Sequence, residues 1–221
     1  MLLPRGTRIV LTETLKLQAG STLFVDANFS DIILNRFGFE VPAGATLCLH
    51  NANLVNGSLS AGAIVIRGGH ARIGRCTITN CRKGDPKNAT EVSAGGAVLV
   101  TDQGVAIIDT TLLANCSAAF GGAVAVSNSF LQLVDSSVRA NNATRRGGGI
   151  HLEGAVSVAI VDRSDILENM VIMVAAVPAL GGEGGGLHVS GAALPSKLAA
   201  LSSQRALLQL SFAPLQALRS I

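Results

Sequence analysis

The sequence predicts an all-β chain, a right-handed single-stranded parallel β-helix, on three observations: a glycine-led repeat, short alternating apolar runs within each repeat, and a core diet of small aliphatic residues. Of the 221 residues 48% are hydrophobic, yet only seven are aromatic, all Phe, with no Trp or Tyr. Bulk must therefore come from Val, Ile, Leu and Ala, which stack well in files on neighbouring strands and fill a thick sandwich core poorly. Glycine, at 25 residues, exceeds its usual share of about 7%.

The repeat is read first. Gly95-Gly96-Ala97, Gly121-Gly122-Ala123 and Gly147-Gly148-Gly149 align in two successive steps of 26 residues. Other features keep the phase: Val98 and Val100 with Val124 and Val126, Val105 and Ile107 with Leu131 and Leu133, and Asp109 with Asp135. Looser copies flank this centre at Gly62-Ala63 with Ile64 and Ile66, and at Gly184-Gly185-Gly186 with Leu187 and Val189. No window sustains a helical period, so each repeat reads as several short strands, and stacked repeats make parallel sheets with strands about 4.8 Å apart. Asn80, Asn115, Asn141 and Asn169 are expected to form one structural ladder at a corner, each amide donating to one rung and accepting from the next.

Two stretches lengthen the repeat and read as loops: Gly84 to Glu91 (GDPKNATE) and the region from Val171 to Gly182. On this basis residues 1-193 form the β-helix, with degenerate N-terminal rungs at 1-61 and regular rungs at 62-193, and residues 194-221 form a C-terminal cap or partial rung. Pro195 opens a possible short helix there, although Leu208, Leu210 and Phe212 also alternate like a strand.

The GGA[IV] half of a two-part repeat matches Gly95 and Gly121 onwards, and its FxxN half corresponds to Leu112 to Asn115, Val138 to Asn141 and Ile166 to Asn169, with the aromatic replaced by an aliphatic. This pattern resembles the repeats of chlamydial polymorphic outer membrane proteins, within the wider pectin-lyase-like group, over roughly Gly62 to Val189. The resemblance implies a β-helical cell-surface adhesin or passenger domain.

Five sequons, at Asn28, Asn56, Asn88, Asn115 and Asn142, favour a secreted chain. Asn88 in the first insertion is the glycosylation candidate, whereas Asn115 is discounted as buried at its corner. Met1 to Val10 lacks the long apolar centre of a signal peptide, leaving an intracellular chain or an incomplete N-terminus as alternatives. Cys81 and Cys116 each follow a corner asparagine, which should place them one rung apart, within the Cα range of about 4.4 to 6.8 Å that a disulfide accepts, or else as two stacked thiols.

Catalysis on such a scaffold needs carboxylates clustered with a basic group. Asp109, Asp135 and Asp162 would stack in a column and are read mainly as corner caps. The compact cluster Asp162, Arg163 and Asp165 falls where the third repeat gains residues, and supplies the catalytic candidates. His151 and His188 share an outward position, read as solvated surface histidines with no third metal ligand. No cofactor or metal is expected.

The formal charge of +3 carries no long basic run, which argues against nucleic acid as a partner, and no apolar stretch reaches the roughly 18 residues that span a bilayer. The sequence therefore points to a non-enzymatic surface or extracellular scaffold that binds glycans or proteins. A polysaccharide lyase or glycoside hydrolase on the same fold, and a truncated fragment of a larger secreted protein, are the alternatives.

Overall fold

A computed structural model describes residues 1–57, 62–84, 93–172 and 184–190. They form a parallel β-solenoid of about six turns, and every strand-to-strand ladder is parallel. Among the described residues there is no helix, and none therefore that is long and apolar enough to cross a membrane. The expected C-terminal cap and the Asn88 loop lie outside the described residues.

One regular rung shows how the sequence makes a turn of the solenoid. After the glycine corner, Val98–Thr101 is the first strand, Val105–Asp109 the second and Leu112–Ala114 the third, and Ser117–Phe120 returns towards the next glycine corner. First strands stack into a seven-stranded sheet running from Leu15–Lys16 to Leu187–Ser190. Second and third strands join in one eleven-stranded sheet, because Thr22–Asn35 and Thr46–Gly57 run through the corner between them. Returning strands make a small third sheet of Ser117–Phe120, Asn142–Arg146 and Met170–Val171.

First strands hold the 26-residue step, with Val98 opposite Val124 and Val124 opposite Ile150. Second strands do not. Ala106 and Ile108 lie opposite Leu131 and Leu133, so the expected pairing of Val105 and Ile107 with those leucines is off by one residue. The cause is the preceding turn: Asp102, Gln103 and Gly104 separate the strands in one rung, and only Asn128 and Ser129 in the next. Because side chains alternate across a strand, this shift exchanges the faces. Ala106 and Ile108 are wholly buried, while Val105 and Ile107 face outward, half-buried.

Glycine pairs mark the corner for two separate reasons. Gly95, Gly121, Gly147 and Gly184 have φ of +69, +59, +63 and +67°, a left-handed conformation that costs any residue with a Cβ. The second glycine faces crowding instead: a Cβ on Gly96 would sit 2.7 Å from the Ser117 carbonyl oxygen and 2.8 Å from its nitrogen. The returning strand thus touches the corner backbone directly.

The other corners also use a left-handed residue, Arg75, Thr110, Asp135 and Arg163 at one and Asn56, Asn80, Asn115, Ala140 and Glu168 at the other. Here the asparagine expectation is corrected. Asn80 and Asn115 occupy the exposed left-handed column, whereas Asn141 and Asn169 stand one residue later, in an inward column continued by Cys116, Cys81 and Gly57. Only this second pair makes a ladder. Asn141 is 0% exposed; its Nδ2 donates to Asn169 Oδ1 (2.9 Å) and to the Leu113 carbonyl (3.0 Å), and its Oδ1 accepts from the Cys116 backbone N–H (2.8 Å). Asn169 Nδ2 repeats the pattern on the Val138 carbonyl at 2.8 Å.

A second inward ladder runs along the corner between second and third strands. Cys76 N–H donates to Thr111 Oγ1 (3.2 Å), Thr111 N–H to Ser136 Oγ (3.0 Å) and Ser136 N–H to Ser164 Oγ (3.0 Å). Each hydroxyl in turn donates to the carbonyl two residues before it, at 2.8, 2.7 and 2.8 Å. Together the two ladders satisfy corner backbone groups that the sheets leave unpaired.

Candidate functional site

The two insertions depart from the same segment of the cross-section. Arg82 lies opposite Ser117 and Ala94 opposite Phe120, so residues 85–92 lengthen the returning segment of their rung. Met170 lies opposite Asn142, and the Gly184 carbonyl takes the place that the Gly147 carbonyl takes one rung earlier, so residues 173–183 lengthen the same segment. Two returning strands, Ser117–Phe120 and Asn142–Arg146, lie between the insertions and pair in parallel with a register shift between Ala118 and Phe120.

Beside these anchor points runs an outward file on the first sheet: Val65, Leu99, Ala125, His151 and His188. All five are buried, although they point away from the solenoid core. Val65, Leu99 and Ala125 form a small apolar cluster of their own with Ala94, and the Phe120 ring lies 5.2 Å from that of His151. Arg145 in turn stands over Phe120 at 5.5 Å. The first sheet is therefore covered on both faces along this line. Its sequence signal is the uninterrupted apolar triplets Ile64-Val65-Ile66, Val98-Leu99-Val100 and Val124-Ala125-Val126, since a strand buried on both sides loses its polar alternation.

This burial corrects the reading of the histidines. His151 and His188 do share the outward position on paired strands, but each is only 3% exposed. Their rings stack with centroids 5.1 Å apart and planes 8° from parallel. Burial, followed by the neighbouring His188, pushes the His151 imidazole down to about 4, against a smaller opposing pull from Glu153, whose Oε2 lies 3.6 Å from His151 Nε2. Nitrogen lone pairs lie in the ring planes, so two parallel rings send theirs side by side instead of converging on one metal. Among the described residues no group of three or more His, Cys, Asp or Glu is placed to hold a metal ion.

The acidic candidates come together, though in another arrangement. Asp162 lies opposite Val134 and Asp165 opposite Ser137, so the cluster obeys the repeat. The residues gained in that rung sit one corner earlier, in the turn between Ile150–Glu153 and Val158–Asp162. Asp109 likewise faces Val134, and the expected Asp109, Asp135 and Asp162 column does not form. Arg163 reaches instead across the rungs to Asp135, Nε to Oδ1 at 2.7 Å and Nη2 to Oδ2 at 2.9 Å, and its Nη1 contacts Asp162. That fork holds the Asp135 carboxyl below its usual range. The result is an exposed clamp between two rungs, whose cation is already engaged by two carboxylates.

Cys81 and Cys116 stack on adjacent rungs as free thiols, each wholly buried and donating to the carbonyl two residues before it, Thr79 at 3.4 Å and Ala114 at 3.3 Å. They stand where Asn141 and Asn169 stand in later rungs, and Cys116 Sγ also points to the Ile78 carbonyl at 3.8 Å. Burial pushes the Cys76 thiol up to about 11, which keeps it protonated at neutral pH. Asn115, discounted as buried, is exposed.

A further outward surface lies on the second strands of the later rungs, where Val105, Phe130 and Val158 form one file and Ile107, Gln132 and Ile160 the next. No protein-family model matches the chain, and no curated protein or solved structure is similar to it.

Proposed function

We propose that the chain is a non-enzymatic surface or extracellular scaffold, adhesin-like and akin to pectin-lyase-like repeat proteins and polymorphic outer membrane proteins, which recognises proteins or glycans. The observation that carries this reading is the departure of both insertions from one segment of the cross-section, on either side of two returning strands. Loops displayed side by side on a rigid repeat are a common way to build a binding surface. A protein partner is favoured over a glycan. The chain has no Trp or Tyr on which sugar rings would stack, and the second-strand surface offers Val, Ile and Phe files to a flat apolar partner.

The competing enzyme reading draws less support. Its candidate residues obey the repeat, and their one cation, Arg163, is neutralised by Asp135 and Asp162. The discriminating experiment compares the full chain with variants in which residues 85–92 or 173–183 are replaced by short Gly-Ser linkers. Each is tested on immobilised extracellular-matrix proteins and on anionic polysaccharides. Protein binding lost in the linker variants, with no release of oligosaccharide, is the expected result. Cleavage of a polysaccharide would replace the scaffold reading with the enzyme one, and binding indifferent to both replacements would remove the insertions from the site.

A further inference from the structure

One inward column joins each rung to the one before it through its side chains. It runs Gly57, Cys81, Cys116, Asn141 and Asn169, at the corner after the third strands. Asn169 Nδ2 reaches back to the Val138 carbonyl at 2.8 Å and Asn141 Nδ2 to the Leu113 carbonyl at 3.0 Å, in each case three residues before the column residue of the preceding rung. Cys116 Sγ makes the same reach, to the Ile78 carbonyl at 3.8 Å, three residues before Cys81. Its sulfur is therefore laid over the rung that carries Cys81, as an amide is one rung later.

The backbones are in register on both sides of this pair. Ala114 lies opposite Thr79 and Ser117 opposite Arg82, with two residues between them on each rung, and the Ser117 N–H donates to the Cys81 carbonyl at 2.8 Å. Cys81 and Cys116 are thus directly stacked at the strand spacing of about 4.8 Å, inside the Cα range of about 4.4 to 6.8 Å that a disulfide spans. The Cys81 sulfur now packs against Gly57, where a Cβ would lie 3.1 Å from it, and a rotation of that side chain turns it to the Cys116 side. The other two cysteines are out of register with this pair. Cys48 lies in the outward file between Phe24 and Arg72, whereas Cys76 turns inward to the Leu49 and Gly74 carbonyls, at the opposite end of Thr77–Thr79 from Cys81.

We propose that Cys81 and Cys116 close into an inter-rung disulfide when the chain folds in contact with a small disulfide oxidant such as oxidised glutathione. One cysteine thiolate attacks the oxidant's disulfide and expels a thiolate; the other then attacks the mixed disulfide, forms the Cys81–Cys116 bond and expels a second. Two protein thiols are oxidised, one external disulfide is reduced to two thiols, and the protons lost by the cysteines pass to the released thiolates. Both sulfurs are wholly buried once the rungs stack, so the exchange takes place before that corner closes. The bond closes a loop of chain that includes the first insertion, residues 85–92, and it fastens the two rungs together whatever that insertion binds.

Refolding the full chain from urea in a glutathione redox buffer tests this, followed by alkylation under denaturing conditions and non-reducing peptide mass spectrometry. The expected product carries one linked pair of peptides, those of Cys81 and Cys116, with Cys48 and Cys76 alkylated. Its thermal midpoint should stand roughly 5 to 15 °C above that of the same chain refolded with a reducing agent. Cys81→Ala combined with Cys116→Ala should show no such difference between the two buffers. Four alkylated cysteines in a chain that regains its far-ultraviolet strand signal, a linkage through Cys48 or Cys76, or a Cys81–Cys116 bond that lowers the midpoint would overturn the proposal.

Discussion

Asn115 and Asn141 look interchangeable in the sequence, each three residues after an aliphatic, and the structure gives them different work. The Asn141 side chain makes three hydrogen bonds in the core, one to the Asn169 amide and two to backbone groups of the preceding rung, the Cys116 N–H and the Leu113 carbonyl. Asn141→Ala is therefore expected to cost about 3 kcal/mol in urea-unfolding experiments, the penalty of stranding buried polar groups. Asn115→Ala should cost less than about 1 kcal/mol, since Ala140 already adopts the same left-handed conformation one rung away. Glycines divide in the same manner. A Cβ on Gly122 would crowd the Asn142 carbonyl oxygen at 2.5 Å, against backbone that cannot retreat, so Gly122→Ala should cost more than about 4 kcal/mol. Gly6, at φ +75° with open space around it, should lose only about 1 kcal/mol on the same change. Thermal unfolding monitored by circular dichroism would rank the four variants.

Strands in this chain are short, and their facing is decided by turns more than by composition. Between first and second strands, one residue fewer in the Asn128 turn than in the Asp102 turn moves Leu131 and Leu133 inward opposite Ala106 and Ile108. A register read from the glycine corner drifts out of phase at that turn, because counting residues cannot see where a turn shortens. The outcome is testable by a pair of neighbours: Ile108→Ala should cost about 2 to 4 kcal/mol, a wholly buried truncation, and Ile107→Ala less than about 1 kcal/mol. Equal losses would mean that the second strand faces the other way. The outward file of the first sheet shows the converse. Triplets such as Val98-Leu99-Val100 announce a strand covered on both faces, while His151 and His188 at the end of that file look like surface residues when taken alone. His151 lies beside Phe120, which precedes it by a full rung in the sequence.

At the scale of the whole molecule, the solenoid converts a one-dimensional repeat into columns, and each column has a single physical task. Inward columns carry Val, Ile and Leu, the corner columns carry hydrogen-bonding ladders, and the described residues that flank the two insertions lie on the returning segment of the cross-section and its glycine corner. Replacing residues 85–92 by a short linker should therefore leave the thermal unfolding midpoint within a few degrees, because closing a shorter loop changes the chain entropy little. A collapse of the midpoint would make that insertion part of the scaffold. The sequence by itself determined the β-helical class, the 26-residue step of the first strands and the position of both insertions, since a repeat must appear wherever each turn buries the same faces against identical neighbours. Only the tertiary structure decided which asparagines form the ladder, which face of the second strands is inward, that Arg163 clamps Asp135, and that the two histidines are buried in a stack. These depend on turns that differ by one residue and on contacts between rungs some 25 to 37 residues apart in sequence, for which the chain carries no local mark.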